Sequence, residues 1–505
     1  MARVIAPVAL LDEAAVAHGL ALAARAFEHG ADLVEWRLDA LPSTQACDLS
    51  TLFAAGPCVA TCRSEGEGGL FDGSDEDVAA WLDAVASQTP LPSWVDVEYQ
   101  RWSRSPAVRA SAARVREAGP RLLCSMHDFT GRPSDLLRRV SDMSGGPFDA
   151  VKVVWRARSL RDIADCRSLL KHATIPMIAL CMGEAGLPTR VLAGAWGGMA
   201  TFAAASSEDA TAPGQPTLDA LLHQYRFRSL GPDTRLFGLV GDPLGRSPGF
   251  ELHNAAFAAG GVDAVYLPLP VAAGWESFKA TMATLLEDPH LNLGGVSVTL
   301  PHKLDAFRFA EEQGAVVSEA AAMCGAVNTL TVGDRLYADN TDVTGVIEPL
   351  RDAGATLSGG VAGVIGAGGV ARAAAAGLLS EGAAVEVWNR SPDRAEGLVA
   401  ALRDAGPISV GRSGRRYDVV VQCTPVGMAH GDHPGATPLA ALGLDAADIL
   451  DDHSVLLETI YDPEATPLAQ AGRACGASVV TGRQMWLAQA AAQQAAWTGR
   501  RPEGW

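Results

Sequence analysis

The sequence predicts an α/β protein in two successive parts, an eight-unit β/α barrel and a second α/β half with two lobes. Three observations carry this. Short apolar runs alternate with helix-patterned segments eight times within residues 1–226, the count and size of a (β/α)8 TIM barrel. The rhythm breaks at the Gly-Pro-containing stretch 227–234 and then restarts. From residue 361 an apolar strand runs through a glycine turn into an alanine-rich helix. An open doubly wound sheet needs the same alternation, but it need not stop at eight units. With 505 residues, 48% hydrophobic and 19% charged, the chain is too long for one core and too apolar for disorder.

Taken in order, the barrel strands are expected at 4–9, 31–38, 58–63, 94–98, 121–127, 150–155, 175–182 and 199–205. Helical spacing marks 12–29, 75–87 and 159–172, and a last helix fits 217–226. A linker at 227–234 leads to a substrate lobe at 235–345, with strands at 237–241, 264–269 and 294–300 and a hairpin at 326–339. A Rossmann-type dinucleotide-binding lobe follows at 346–482, and residues 483–505 form a helix returning to the substrate lobe.

The formal net charge of −18 argues against nucleic acid or an anionic membrane as partner. Nine scattered cysteines without a CxxC pair read as reduced thiols of a cytoplasmic protein. The apolar start at 4–11 is broken by Pro7 and reads as a first strand, not a leader peptide. The uncharged run 353–371 holds seven glycines and is no membrane helix. Only four of the 40 basic residues are lysines: Lys152, Lys171, Lys279 and Lys303. A lysine kept in an apolar strand therefore invites the question of what arginine could not do there.

Lys152 lies among valines in the sixth strand, Asp149-Ala150-Val151-Lys152-Val153-Val154-Trp155. Pointing into the barrel, it would be desolvated toward the neutral amine, a nucleophile able to form a Schiff base with a ketone. A lysine snorkelling or paired at a strand end is the alternative. The fifth strand ends at His127, where a general acid or base belongs. Glu35, Arg37, Asp39, Arg63 with Glu67, Asp96, Glu98, Arg190 and Gln215 also fall at strand ends or in the loops after them. Buried charges there need partners or a ligand, and the arginines suit a carboxylate.

Glu35-Trp36-Arg37-Leu38-Asp39, Cys62-Arg63-Ser64, His127-Asp128-Phe129, Lys152 and Ala212-Pro213-Gly214-Gln215 resemble the type I 3-dehydroquinate dehydratases over residues 1–226. The resemblance implies that Lys152 forms an imine with the C3 ketone of 3-dehydroquinate. It implies that His127 removes a C2 proton, assists loss of the C1 hydroxyl as water and helps imine formation and hydrolysis. Glu67 matches the family's partner of that histidine. Glu35, Arg37, Arg63, Arg190 and Gln215 match its substrate contacts, and Thr211 replaces a usual serine.

In the second half, Val298-Thr299-Leu300-Pro301-His302-Lys303 places a scarce lysine just after a strand. Gly325-Ala326-Val327-Asn328-Thr329, Asp339-Asn340-Thr341-Asp342 and Gly241-Asp242-Pro243-Leu244-Gly245-Arg246-Ser247 supply further polar clusters before the glycine turn. This order and these motifs resemble shikimate dehydrogenase over about 235–500. The resemblance implies Lys303 and Asp342 as the catalytic pair for proton transfer at the oxidised hydroxyl. Ser247, Thr299, Asn328, Tyr461 and Gln489 match its substrate contacts.

Gly366, Gly368 and Gly369 allow close approach of a pyrophosphate at a helix N-terminus. The next strand ends Asn389-Arg390-Ser391, followed by Arg394, with no acid to hold a free ribose, so NADP(H) is the expected cofactor. Two departures stand out. The family's paired serines appear as Ser247-Pro248-Gly249, and its Asn-Val-Thr as Ser297-Val298-Thr299. The lost hydroxyl at Gly249 raises quinate as an alternative substrate. His430-Gly431-Asp432-His433 lacks further ligands and reads as a solvated loop, not a metal site.

The resulting expectation is a bifunctional shikimate-pathway enzyme acting on small molecules. It would convert 3-dehydroquinate to 3-dehydroshikimate and then to shikimate with NADPH, with no metal, nucleic-acid or membrane partner. A non-catalytic metabolite-sensing regulator, and an aldolase-type barrel fused to an unrelated dehydrogenase, are the alternatives. No oligomeric state follows from the sequence.

Overall fold

The computed structural model describes residues 2–12, 15–41, 49–245, 247–412 and 415–505. Arg246 of the Gly241–Ser247 motif lies outside them. The first sheet holds β1 (Arg3–Ala9), β2 (Leu33–Arg37), β3 (Cys58–Thr61), β4 (Trp94–Glu98), β5 (Arg121–Asp128), β6 (Ala150–Arg156), β7 (Met177–Met182) and β8 (Ala200–Phe202). They run in the order β7-β6-β5-β4-β3-β2-β1-β8, each paired parallel to its neighbour. The Met199 N–H donates to Met177 O at 2.8 Å across the remaining gap, so the sheet nearly closes into a barrel. Helices cover the outside and side chains fill the inside. All six residues of β7 and six of the seven in β6 are therefore buried, and these strands read as continuous apolar runs.

Local chemistry sets the helix starts. Ser74 and Asp77 form a reciprocal capping box at the helix Asp75–Ala86. Ser105 caps the helix Pro106–Ala118, whose proline occupies the first turn. The eighth unit is shorter than the expected 199–205 and 217–226. After Phe202 the chain leaves the ladder: Ala204 N–H donates to Pro216 O, and Ala204 bridges Thr217. The final helix shrinks to a π-turn, Ala220–Gln224, which Arg226 ends in the left-handed region at φ 54°.

The second sheet holds β9 (Arg235–Gly241), β10 (Ala264–Pro270), β11 (Leu293–Val298), β12 (Val316–Val317), β13 (Thr329–Thr331) and β14 (Tyr337–Asp339), ordered β10-β9-β11-β13-β14-β12. The expected hairpin is the antiparallel β13–β14 pair, with Ala326–Asn328 preceding its ladder. The third sheet, β15 (Val361–Ile365), β16 (Ala384–Trp388), β17 (Ile408–Val410), β18 (Val419–Gln422), β19 (Val455–Glu458) and β20 (Ser478–Val480), is all parallel. Its order, β17-β16-β15-β18-β19-β20, is the doubly wound Rossmann pattern with its switch point beside β15.

The helix Asp342–Asp352 spans position 345/346, where the sequence suggested a lobe division. The terminal helix Gly482–Thr498 lies against the substrate lobe. There Gln493 joins Ser297 (3.0 Å) to Thr329 (3.2 Å), and Trp497 Nε1 donates to Leu330 O at 3.2 Å. The barrel and the substrate lobe share one continuous apolar cluster, with Phe227 of the linker buried in it. Arg167 clamps Asp288 through two bonds of 2.6 and 3.0 Å across this boundary. No described helix is long and apolar enough to cross a membrane.

Candidate active sites

At the C-terminal ends of the barrel strands, Glu35, Arg37, Arg63, Glu67, His127, Lys152, Arg190, Thr211 and Gln215 line one pocket. The nine residues that the resemblance assigns to this half therefore meet in space, while Asp39, Asp96 and Glu98 do not line the pocket. β6 carries Lys152 inward, in register with Ser125 of β5 and Ile178 of β7. Its Nζ lies 3.2 Å from Glu35 Oε1 and 4.1 Å from the centre of the Phe202 ring. Burial lowers the amine's pKa, outweighing Glu35 and Asp96, which pull it upward, while Arg63 assists the lowering. Glu35 is itself buried, yet Lys152, Arg37 and Arg63 together hold its carboxyl below the usual value.

His127 Nδ1 lies 3.0 Å from Glu67 Oε2. The same oxygen accepts the His127 backbone N–H at 3.0 Å and Arg63 Nη1 at 3.3 Å. An oxygen already accepting twice favours the tautomer in which Nδ1 donates, leaving Nε2 free for the pocket. Burial pushes the imidazole well below its ordinary value, with Arg63, Lys152, Arg37 and Arg190 adding to the effect. Burial pushes Glu67 up to about 8, against Arg63 and reinforced by Glu98 and Asp96. Burial thus disfavours charge on both members of the pair.

The arginines differ in their partners. Arg37 is held by Asp39 through bonds of 2.8 and 2.9 Å. Arg63 is caged by Asp96 (2.8 Å), Ser125 (2.8 Å), Glu98 and Glu67. Arg190 is 2% exposed, has no carboxylate partner among the described residues, and its Nε lacks any hydrogen bond. Burial pushes it down to about 10. A buried guanidinium in this state calls for an anion in the pocket. Thr211 N–H donates to Gln215 Oε1 at 2.9 Å, which orients that amide at the rim.

In the second half, Lys303 and Asp342 form an ion pair. Asn328 Nδ2 donates to Asp342 Oδ1 at 2.9 Å and to Thr341 Oγ1 at 3.1 Å, and Thr341 reaches Gln489 Oε1 at 3.5 Å. These residues form one network from the start of the helix Lys303–Glu312, the β13 entrance, the start of the helix Asp342–Asp352 and the terminal helix. Ser247, Thr299 and Tyr461 have no hydrogen bond into it. Ser247 Oγ accepts the Gly249 N–H at 3.2 Å, the Thr299 methyl packs over Gly241, and Tyr461 is 44% exposed. A side chain at Gly249 would meet Ser247 at 3.2 Å, His253 at 3.6 Å and Trp486 at 3.7 Å. The room left by the missing serine is thus bounded by Trp486.

The glycine turn fits a dinucleotide. Gly366 adopts φ +122°, a Cβ on Gly368 would meet nothing within 4 Å, and the helix Gly369–Ser380 begins there. A Cβ on Gly369 would lie 3.5 Å from Lys303 Cδ, so the turn faces the Lys303–Asp342 pair. Asn389, Arg390 and Arg394 line a cavity of about 600 Å³ beyond it. The acid of β16, Glu386, is taken by Tyr417 (2.7 Å) and Arg415 (3.1 Å). The donor set therefore fits a 2′-phosphate. Ser391 lends its carbonyl to Asn389 Nδ2 at 2.9 Å and does not line the cavity.

Residues 10–232 match the family model for type I 3-dehydroquinase, and 239–330 that for the shikimate dehydrogenase substrate binding domain. Residues 361–432 match that for coenzyme F420-dependent NADP oxidoreductase. The bifunctional 3-dehydroquinate dehydratase/shikimate dehydrogenase, chloroplastic, of Arabidopsis thaliana is 30% identical over 497 residues, spanning 94% of this chain and 79% of that protein. This chain belongs to the bifunctional 3-dehydroquinate dehydratase/shikimate dehydrogenase family. The shikimate biosynthesis protein AroDE of Chlamydia pneumoniae is 27% identical over 478 residues, covering 93% of this chain and 90% of that one. The shikimate dehydrogenase (NADP(+)) of Methanocella arvoryzae is 36% identical over 273 residues, covering 53% of this chain and 94% of that one.

Within this family framework, some lining residues escape sequence reasoning. Phe202 faces Lys152 from β8, a three-residue strand too short for alternation to orient it. Thr341 was read only as part of a motif, yet it couples Asn328 to Gln489. Gly431, Asp432 and His433, expected in a solvated loop, form part of the wall of the cofactor cavity.

Proposed function

We infer that the chain dehydrates 3-dehydroquinate in the barrel and reduces the resulting 3-dehydroshikimate to shikimate with NADPH in the second half. The observation carrying the first step is the buried Lys152 amine in one pocket with Arg190, which has no carboxylate partner among the described residues. Arg190 receives the substrate carboxylate and Gln215 closes the rim. Lys152 Nζ attacks the C3 ketone, and water leaves as the imine forms. His127 Nε2 takes a C2 proton, then returns a proton to the C1 hydroxyl as it departs as water. Hydrolysis of the imine frees Lys152, so the net change is loss of one water.

In the second half, Gly366, Gly368 and Gly369 hold the pyrophosphate and Arg390 with Arg394 the 2′-phosphate. Bound NADPH supplies the hydride. Lys303, paired to Asp342, holds a proton at the oxygen that becomes the hydroxyl. Asn328 keeps Asp342 oriented, and Ser247, Thr299, Tyr461 and Gln489 contact the substrate. The division into 1–226, linker 227–234, substrate lobe 235–345, NADP lobe 346–482 and returning helix 483–505 is the organisation we propose. All eight described cysteines are free thiols, which supports a reducing, cytoplasmic compartment.

Quinate as substrate is not favoured, since the curated relatives matched over this half are named as shikimate dehydrogenases. A non-catalytic regulator is not favoured either, because every reacting group named above is present. Borohydride added during turnover of 3-dehydroquinate tests the covalent step. A reduced adduct on the Lys152 peptide is expected, and full activity with no adduct would overturn it.

A further inference from the structure

A chain of buried hydrogen bonds runs from β10 to the Lys303–Asp342 pair. The Tyr266 hydroxyl donates to Ser297 Oγ at 2.9 Å, and Ser297 donates to Gln493 Oε1 at 3.0 Å. Gln493 Nε2 donates to Thr329 Oγ1 at 3.2 Å, and Thr329 donates to Asn328 Oδ1 at 2.7 Å. Asn328 Nδ2 then reaches Asp342 Oδ1 at 2.9 Å, on the carboxylate that holds Lys303. Every side chain from Tyr266 to Asp342 in this series is buried. Ser297 and Thr329 oppose each other in the β11–β13 ladder, and the terminal helix brings Gln493 to both. Ser297, where the resembled family carries asparagine, accepts from Tyr266 and donates onward through a single atom.

The series has a direction, and Tyr266 sets it. Hydroxyls and amides can be turned around: Gln493 rotated end for end would accept from Thr329 and donate to Ser297. Ser297 would then donate to Tyr266, whose hydroxyl proton would have no acceptor among the described residues. Burial pushes the Tyr266 phenol up, against the pull of the Ser297 bond, so it stays a donor. In the reversed order Thr329 would also turn its proton to Gln493, leaving Asn328 Oδ1 with its bonds from Thr341 alone. The observed order gives the buried phenol its acceptor and Asn328 a further anchor.

We propose that Thr329 is a positioning residue for the second reaction: directed by Tyr266 through Ser297 and Gln493, it holds the Asn328 amide with Nδ2 toward Asp342. Thr329 touches no reacting atom and acts through Asn328. A tilted or inverted Asn328 would set its Oδ1 lone pairs against the Asp342 carboxylate and draw that group off Lys303. The proposal rests on the reading of Lys303 and Asp342 as the proton-transfer pair.

The test is shikimate oxidation with NADP+ by full-length variants, with thermal melts and 3-dehydroquinate dehydration recorded on the same preparations. Thr329→Val should lower kcat by about 5- to 30-fold and leave both KM values within about threefold of wild type. Thr329→Ser restores the hydroxyl and should recover kcat to within about threefold. In the Asp342→Asn background, Thr329→Val should cost nothing further, because its effect passes through Asp342. Additive loss in that double variant, or no recovery in Thr329→Ser, would make Thr329 a packing residue and overturn the proposal. Tyr266→Phe deletes the first donor alone and should lower kcat by about two- to fivefold. Should Thr329→Val fail to fold, wild-type kcat in Tyr266→Phe overturns the proposal. Wild-type kcat in Asp342→Asn contradicts the reading of the pair itself, whereas an impaired Asp342→Asn beside an unimpaired Thr329→Val contradicts only the positioning role.

Discussion

Arg190→Met should move stability and catalysis in opposite directions. The guanidinium is 2% exposed, unpaired among the described residues and lacks a partner at Nε, so the protein alone offers little compensation for its desolvation. Replacing an unpaired buried charge by an apolar side chain of similar length should stabilise the barrel by roughly 1–3 kcal/mol. For a barrel of this size that raises the thermal midpoint by about 2–4 °C per kcal/mol. With substrate bound, the same change removes two charge-assisted hydrogen bonds to a carboxylate, each worth about 1.5–3 kcal/mol. Their loss lowers kcat/KM for dehydration by roughly 10²–10⁴-fold. Thermal melts without ligand and initial rates of enone formation measure both. A variant that melts lower than wild type and keeps its kcat/KM would refute the reasoning.

Three further outcomes follow from the same geometry. Because burial holds a proton on Glu67 up to about pH 8 while His127 is depressed, the basic form of the pair grows as pH rises. The kcat/KM for dehydration should therefore climb through neutrality and level above about pH 8, and Glu67→Gln should abolish that limb in a pH–rate profile. Asp342→Asn should lower kcat of shikimate oxidation by roughly 10²–10⁴-fold with KM changed only a few-fold, since Lys303 loses its partner in proton transfer. Arg390→Ala should raise KM for NADPH by about 10–100-fold and leave KM for NADH nearly unchanged, measured by steady-state kinetics with each cofactor.

Much of this was legible because local pattern and global fold agree. Strands buried on both faces, such as β6 and β7, must read as unbroken apolar runs, and eight of them separated by helices announce a barrel. Lys152 is conspicuous because such a run admits no solvated lysine. What escaped depends on through-space pairing. That Arg63 is caged by Asp96 and Glu98 while Arg190 has no carboxylate partner among the described residues follows from how strands close, not from spacing along the chain. The shortened eighth strand reflects the Ala204–Thr217 bridge, a non-local contact. Trp486 bounding Gly249 brings together residues more than two hundred positions apart.

NADPH oxidation driven by 3-dehydroquinate tests the central claim most directly, because it requires both sites of one chain in sequence. Wild-type protein should oxidise NADPH with 3-dehydroquinate or with 3-dehydroshikimate. Lys152→Ala should lose the response to 3-dehydroquinate by at least about 10³-fold and keep the response to 3-dehydroshikimate. Undiminished oxidation with 3-dehydroquinate in Lys152→Ala would contradict a Schiff-base barrel feeding a second, separate reductase.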